Sequence, residues 1–260
     1  MRFGIGEILL VLMAFAIFAI ALEFGYRIGV RRHANHDQPE ETQANALNGA
    51  TLGLLALLLG FTFAMSVSRY ETRKQLMVDQ ANAIGTAALR ARTLPAPDDA
   101  RALELLRQYL ESRFQYNAAG NDDAAILAAE NRGNALEGQL WNVAHEQLGA
   151  DPHSQRAALF TQALNDMFDL REKRRFALND QVPGAVTFLL YAVAFTALGL
   201  LGYSCGLNGR RRAPANLTFA LMIALVLIII LDVDSPRVGF VRVSDESLIR
   251  LQQSFPAPRP

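Results

Sequence analysis

Apolar residues along the chain collect into four long runs that hold almost no charge. The first covers residues 8–22 and is lengthened by residues 3–6, with Glu7 between. The second runs from Thr42 to Ser68, the third from Gln181 to Gly209 and the fourth from Ala213 to Leu231. Charged residues stop the runs: Glu41 and Arg69 around the second, Asp180 and Arg210 around the third, Arg212 and Asp232 around the fourth. A helix needs about 20 mostly apolar residues to cross a hydrocarbon core of about 30 Å. Backbone polar groups in lipid must be satisfied internally, so all four runs read as transmembrane helices. Residues 22–27, Leu-Glu-Phe-Gly-Tyr-Arg, make a poor cleavage site, so the first run reads as a retained helix and not a signal peptide.

The segment from Arg69 to Asp180 mixes acidic and basic side chains in a soluble balance and keeps a helical period throughout. The second span continues without a breaker as far as Leu94-Pro95-Ala96-Pro97. One helix from about Ala44 to Arg92 would be roughly 70 Å long, with Gly85 its one weak point. Asp98-Asp99 then starts a helix whose face is Leu103, Leu106, Leu110 and Phe114. Asn121-Asp122-Asp123 starts another, with Ile126, Leu127, Leu136, Leu140, Trp141 and Val143. Asp151-Pro152 starts a third, marked by Leu159, Leu164, Phe168 and Phe176 and running to Pro183. No useful strand alternation occurs. The pattern predicts an all-α membrane protein with four transmembrane helices, the second and third extended into a helical stalk domain. Residues 1–68 hold membrane helices 1 and 2, residues 69–182 the soluble stalk, residues 183–231 membrane helices 3 and 4, and residues 232–260 a C-terminal tail.

Composition narrows the function. The chain has 260 residues, 51% of them hydrophobic, which excludes a disordered protein. Its 25 basic residues balance its 25 acidic ones, so nothing points to a nucleic-acid partner. A single cysteine, Cys205, excludes an intrachain disulfide and a cysteine-rich metal site. Four spans put both termini and the stalk on one side of the bilayer. Arg27, Arg31, Arg32 and the triplet at 210–212 make the two short loops basic, which argues for a stalk outside the cytoplasm. The total number of basic residues near membrane ends argues the reverse, so charge alone leaves the orientation open.

Catalytic chemistry is not evident. His33 and His36 lie in a polar loop with no further ligand nearby, and His145 and His153 are isolated. Gly4-Ile5-Gly6 follows no strand, so it is not a dinucleotide motif. There is no Walker motif, nucleophile elbow or zinc-protease signature. The expectation is no enzyme, no cofactor and no metal. Two places stand out instead. On the second span, Asn48, Thr51, Thr62, Ser66, Arg69 and Arg73 share a broad polar face. Gly49, Gly53, Ala56, Gly60 and Ala64 share another, and small residues let helices approach closely in lipid. A polar stripe there means water, a partner helix, or both. Beyond the fourth span, Asp232 and Asp234 could hold a cation, pair with arginines across a subunit contact, or simply end the apolar run.

In the second span Leu59-Gly60-Phe61 is followed, eight residues after the phenylalanine, by Arg69-Tyr70. Beyond the fourth lie Asp234-Ser235-Pro236 and Gly239. This pattern resembles the bestrophin channel family, and most of all its bacterial bestrophin-like members of unknown function. The resemblance implies a homopentamer in which the second span of each subunit lines a central pore. It implies an apolar neck of Gly53, Leu57 and Phe61, where Gly53 departs from the family's bulky side chain. Thr51, Thr62 and Ser66, roughly 100° around the helix, complete the expected pore lining, with Arg69 and Arg73 at its mouth. Asp232 and Asp234 are carried as a cation site or an inter-subunit contact. The family's calcium clasp is not carried over, because Gly239 is followed by Phe240-Val241-Arg242. The family places its stalk in the cytoplasm, which decides the orientation. The expectation is a bacterial inner-membrane protein that passes inorganic ions passively, with the lipid bilayer and copies of itself as partners. Rings of arginine favour anions, but the family includes cation-selective members. The alternative is a non-conducting membrane scaffold or sensor whose helical domain binds a partner.

Overall fold

The structure, a computed structural model, describes residues 5–33, 38–209, 213–237 and 239–255. Gly4, His36 and the arginines at 210–212, all used above, lie outside the described residues. Among the described residues eight helices follow one another: α1 (Ile5–Arg32), α2 (Gln38–Ala91), α3 (Asp98–Ala118), α4 (Asp123–Ala150), α5 (Gln155–Asn179), α6 (Gly184–Leu207), α7 (Ala213–Asp234) and α8 (Glu246–Gln253). No strand occurs among the described residues. Among the described residues four helical stretches are long and apolar enough to cross a membrane. The chain forms two compact units. One holds α1, α2 up to Ser68, α6 and α7; the other holds α2 from Arg69, then α3, α4, α5 and α8.

In the first unit, α1 and α6 meet through glycines. A Cβ on Gly25 would run into the carbonyl oxygen of Gly199, and one on Gly29 into that of Tyr203. On the facing helix, Gly202 lies against the Leu22 carbonyl and Gly206 against that of Tyr26. Lipid supplies no hydrophobic drive between helices, so close backbone packing at small residues is what holds such a pair. Around this contact Phe18 and Leu22 of α1, Ala194 and Leu198 of α6, and Ala224 and Leu227 of α7 form the core. The close approach expected on α2 is not found within the protomer: Gly49, Gly53 and Gly60 have open space where a Cβ would stand.

In the second unit, Met77, Ile84 and Ala88 of α2, Leu106 and Tyr109 of α3, Leu140 and Val143 of α4, and Phe160, Leu164 and Met167 of α5 make one core. The short helix α8 docks into it through the fully buried Leu248. Leu251 of α8 lies 3.1 Å from where a Gly85 Cβ would be, which gives that mid-helix glycine a packing reason. Asp122 starts α4 as expected, its carboxylate accepting from the backbone N–H groups of Ala124 and Ala125. The next helix starts later than expected. Asp151 spends its carboxylate on the His153 N–H, and Ser154 caps α5 through the Ala157 N–H. The stretch 180–183 then separates α5 from α6, so stalk and third span are not one unbroken helix. Pro183 disfavours helical geometry at Val182, which accounts for the break. The inward face of α5 also differs from expectation. It runs through Phe160, Leu164, Met167, Arg171, Arg174 and Leu178, leaving Leu159 and Phe176 exposed.

Candidate functional site

The membrane part of α2 presents two faces of opposite character. Gly53, Leu57 and Phe61, four residues apart, form an apolar stripe that the chain leaves uncovered; Leu57 is 55% exposed and Phe61 66%. Thr62 and Ser66 point the other way and are 3% and 0% exposed. The Thr62 hydroxyl donates to the Leu58 carbonyl at 2.8 Å, satisfying itself inside its own helix. A side chain enclosed by its own protomer cannot line a passage shared by several protomers. Thr62 and Ser66 are thus enclosed by the chain itself, on a different face from the uncovered stripe. Thr51 is half-buried, with its hydroxyl donating to the Leu47 carbonyl at 2.7 Å.

The two arginines expected at a pore mouth also separate. Arg69 Nε donates to Asp180 Oδ2 at 3.1 Å, and the Asp180 side chain is 62% exposed. Arg73 is buried and lines a half-open cavity of the second unit. It is therefore not a rim residue: one helical turn past Arg69, α2 has entered a packed core.

Asp232 and Asp234 serve their own chain. Both oxygens of Asp232 accept from the Phe240 N–H, at 2.8 and 3.1 Å, and Oδ2 also accepts from the Val241 N–H at 3.0 Å. Gly239 makes that clamp possible. Its φ of +121° suits glycine alone, and a Cβ there would strike Asp232 Oδ1. Asp234 is buried and its Oδ2 accepts from the Val182 N–H at 2.8 Å. Both carboxylates thus have backbone N–H partners within their own chain. Among the described residues no group of His, Cys, Asp or Glu side chains is arranged to hold a metal ion.

The sequence reading missed a buried arginine cluster in the second unit. Arg171 pairs with Glu137 at 2.6 Å and donates to Asn134 at 2.5 Å. The Tyr109 hydroxyl donates to the other Glu137 oxygen at 3.0 Å. Burial pushes the Tyr109 phenol well above its usual range. Arg113, 2% exposed, lies between the rings of Tyr109 and Tyr116 and donates to Ser112 and the Ala129 carbonyl. Burial lowers its pKa. Burial likewise pulls Arg171 down, but the Glu137 carboxylate more than offsets that and the net shift is upward. Arg174 donates to Gln80 Oε1 at 2.8 Å and Asn117 Oδ1 at 2.6 Å, and burial, then Arg113, lowers it to about 10. The signal was present as spacing. Met167, Arg171, Arg174 and Leu178 follow the same three-and-four rhythm as a buried helix face.

With this geometry in hand, the family can be identified. Residues 12–248 match the Bestrophin-like domain. This chain belongs to the bestrophin-like family. Its fold is also that of bacterial bestrophin homologue structures from Klebsiella pneumoniae. One single-site variant aligns with a TM-score of 0.67 at 18% identity, over 96% of this chain and 97% of that one. A second variant gives 0.67 at 16% identity, over 97% and 100%. A structure solved by zinc phasing gives 0.63 at 17% identity, over 95% and 98%. No curated protein matches in sequence. At these identities the structural likeness speaks to the fold. In the bestrophin-like chain described here, Leu59-Gly60-Phe61 and Arg69-Tyr70 lie on the single helix α2, and Asp234 and Gly239 belong to the clamped segment after α7.

Proposed function

We propose that this bestrophin-like protein is a passive, non-catalytic ion channel of the bacterial inner membrane, assembled as a homopentamer with its stalk in the cytoplasm. The observation that carries the reading is the uncovered stripe of Gly53, Leu57 and Phe61. Of the four candidate spans, the one on α2 has the smallest buried share, 17% against 22–33%. Its open side must meet lipid or other copies. Gly49, Gly53 and Gly60 stand free there, suited to close approach by a neighbouring helix. The characterised members of the family conduct ions. In this reading Leu57 and Phe61 form an apolar constriction that gates by dewetting, Gly53 widens it on one side, and Thr51 lies beyond. Arg69, tied to Asp180, gives the mouth the charge of an ion pair and not of a bare cation ring.

Purified protein in liposomes should pass inorganic ions, and Phe61→Ala should raise that flux by opening the constriction. An absence of flux across a range of salts and pH, with the protein folded, would reject conduction. Subunit number, seen down the membrane normal, then separates the readings: a ring supports the pore, and a monomer or dimer supports a scaffold.

A further inference from the structure

The second unit carries a half-open cavity of about 270 Å³ that the proposed pore does not use. Its wall is strongly basic. Arg73, Arg174, Arg237 and Arg242 line it, and Asp245 is the one carboxylate among its described lining residues. Arg73 and Arg174 are 2% and 6% exposed, Arg237 is half-buried, and Arg242 is an exposed rim.

A buried guanidinium is costly unless its charge is met. Arg171 shows the ordinary solution in the same unit, a carboxylate partner in Glu137. Arg174 is different. Both of its hydrogen bonds go to side-chain amide oxygens, which satisfy its donors and leave its charge in place. Arg237 is similar: it donates to the Tyr116 hydroxyl at 2.6 Å and stacks 4.6 Å from that ring's centre. Asp245 accepts from Asn117 at 2.5 Å and keeps its negative charge, which acts on Arg174 and is the one carboxylate charge in the described lining. The cavity therefore holds more positive than negative charge at its deep end, beside open volume.

We propose that this cavity binds a small oxyanion of the phosphate class, seated between Arg174 and Arg237 and flanked by Arg73 and Arg242. Guanidinium forks match the paired oxygens of phosphate bidentately, which favours an oxyanion over a halide. The volume lies just under the roughly 300–1,000 Å³ of pockets that take drug-sized ligands, so the occupant is small. A free phosphate and a lipid phosphate headgroup share this chemistry.

The test uses the full chain. Delipidated protein in detergent is titrated calorimetrically with inorganic phosphate, against sodium chloride at equal ionic strength. A parallel set in nanodiscs compares phosphatidic acid with neutral lipid. The variants are Arg237→Gln and Arg242→Gln, chosen because neither side chain is fully buried. The expected result is saturable binding that each variant weakens about tenfold or more. Phosphate binding in detergent assigns a soluble ligand. Binding seen only with phosphatidic acid, and lost in the variants, assigns a headgroup. A folded wild type that binds neither, or binding that both variants leave unchanged, overturns the proposal and leaves a water-filled cavity. No flux is measured, so the outcome stands apart from the proposed conduction.

Discussion

Arginine is the residue that gives the second unit its individuality. Four of them occupy buried helical positions of the kind leucine usually fills, and Arg113, Arg171 and Arg174 each solve their burial differently. Arg171 relies on Glu137, which also receives the Tyr109 hydroxyl. Glu137→Ala should therefore destabilise the protein by about 3–5 kcal/mol, because it strands a buried cation. The double variant Glu137→Leu, Arg171→Met should recover most of that loss, since removing a whole buried pair is close to neutral. Thermal melts of the two singles and the double test this; a double as damaged as Glu137→Ala would reject the pairing argument. Arg174 makes a pH prediction. Its pKa is about 10 in the fold against an ordinary 12.5, so between those values the unfolded chain binds the proton more readily. Stability gained from Arg174 thus appears only as pH rises through about 10 towards 12.5. From about pH 6 to about pH 9 the guanidinium is charged in both states. The stability gap between wild type and Arg174→Met should stay flat across that range, as read from melts at each pH. A gap that slopes there would mean another titrating group is coupled to it.

At the scale of the helix, glycine has two opposite uses on two faces. Gly25, Gly29, Gly202 and Gly206 are closed against backbone, whereas Gly49, Gly53 and Gly60 are open. Gly202→Val should separate α1 from α6 and cost roughly 3 kcal/mol or more, seen as a fall in melting temperature and in monodisperse yield from detergent. Gly60→Ala should leave the protomer's melt unchanged and shift only the assembled species. Equal melts for Gly202→Val and wild type would show that the helices do not approach as described. The same contrast marks what the sequence could disclose. Span number followed directly from run length and charge, since the bilayer imposes both. The start at Asp122 was legible because a carboxylate cap is a local event. Partnership between helices was not legible, because small residues look alike in sequence whether they meet a backbone or open space. Arg73 was read at a pore mouth, and Arg113 and Arg174 were not singled out, for a similar reason: their charge hid positions that their spacing marked as core. Asp232 and Asp234 were visible as acids, but the amides that claim them come from Phe240, Val241 and Val182, which only the fold brings near.

For the whole molecule, the decisive question is what covers the open side of α2. Lipid and a water-filled axis make different demands on the same side chain. Phe61 and Phe63 are both exposed in the protomer, at 66% and 44%. They stand about 160° apart around the helix at about 100° per residue. If copies gather with the Gly53–Leu57–Phe61 stripe inward, water reaches position 61 and not position 63. On a Cys205→Ser background, which removes the native thiol beside Asn216, Phe61→Cys should react with a charged, water-soluble thiol reagent. Phe63→Cys should resist it. Reaction at 61 should also change ion flux, because it places a fixed charge in the narrowest apolar ring, where a dewetted gap is most sensitive to polarity. If neither position reacts in folded protein, α2 faces hydrocarbon or a sealed contact, and the helical unit beyond Arg69 becomes the place to look for function. If position 63 reacts and 61 does not, the axis lies on the other side of the helix and the neck assignment falls while an aqueous passage remains.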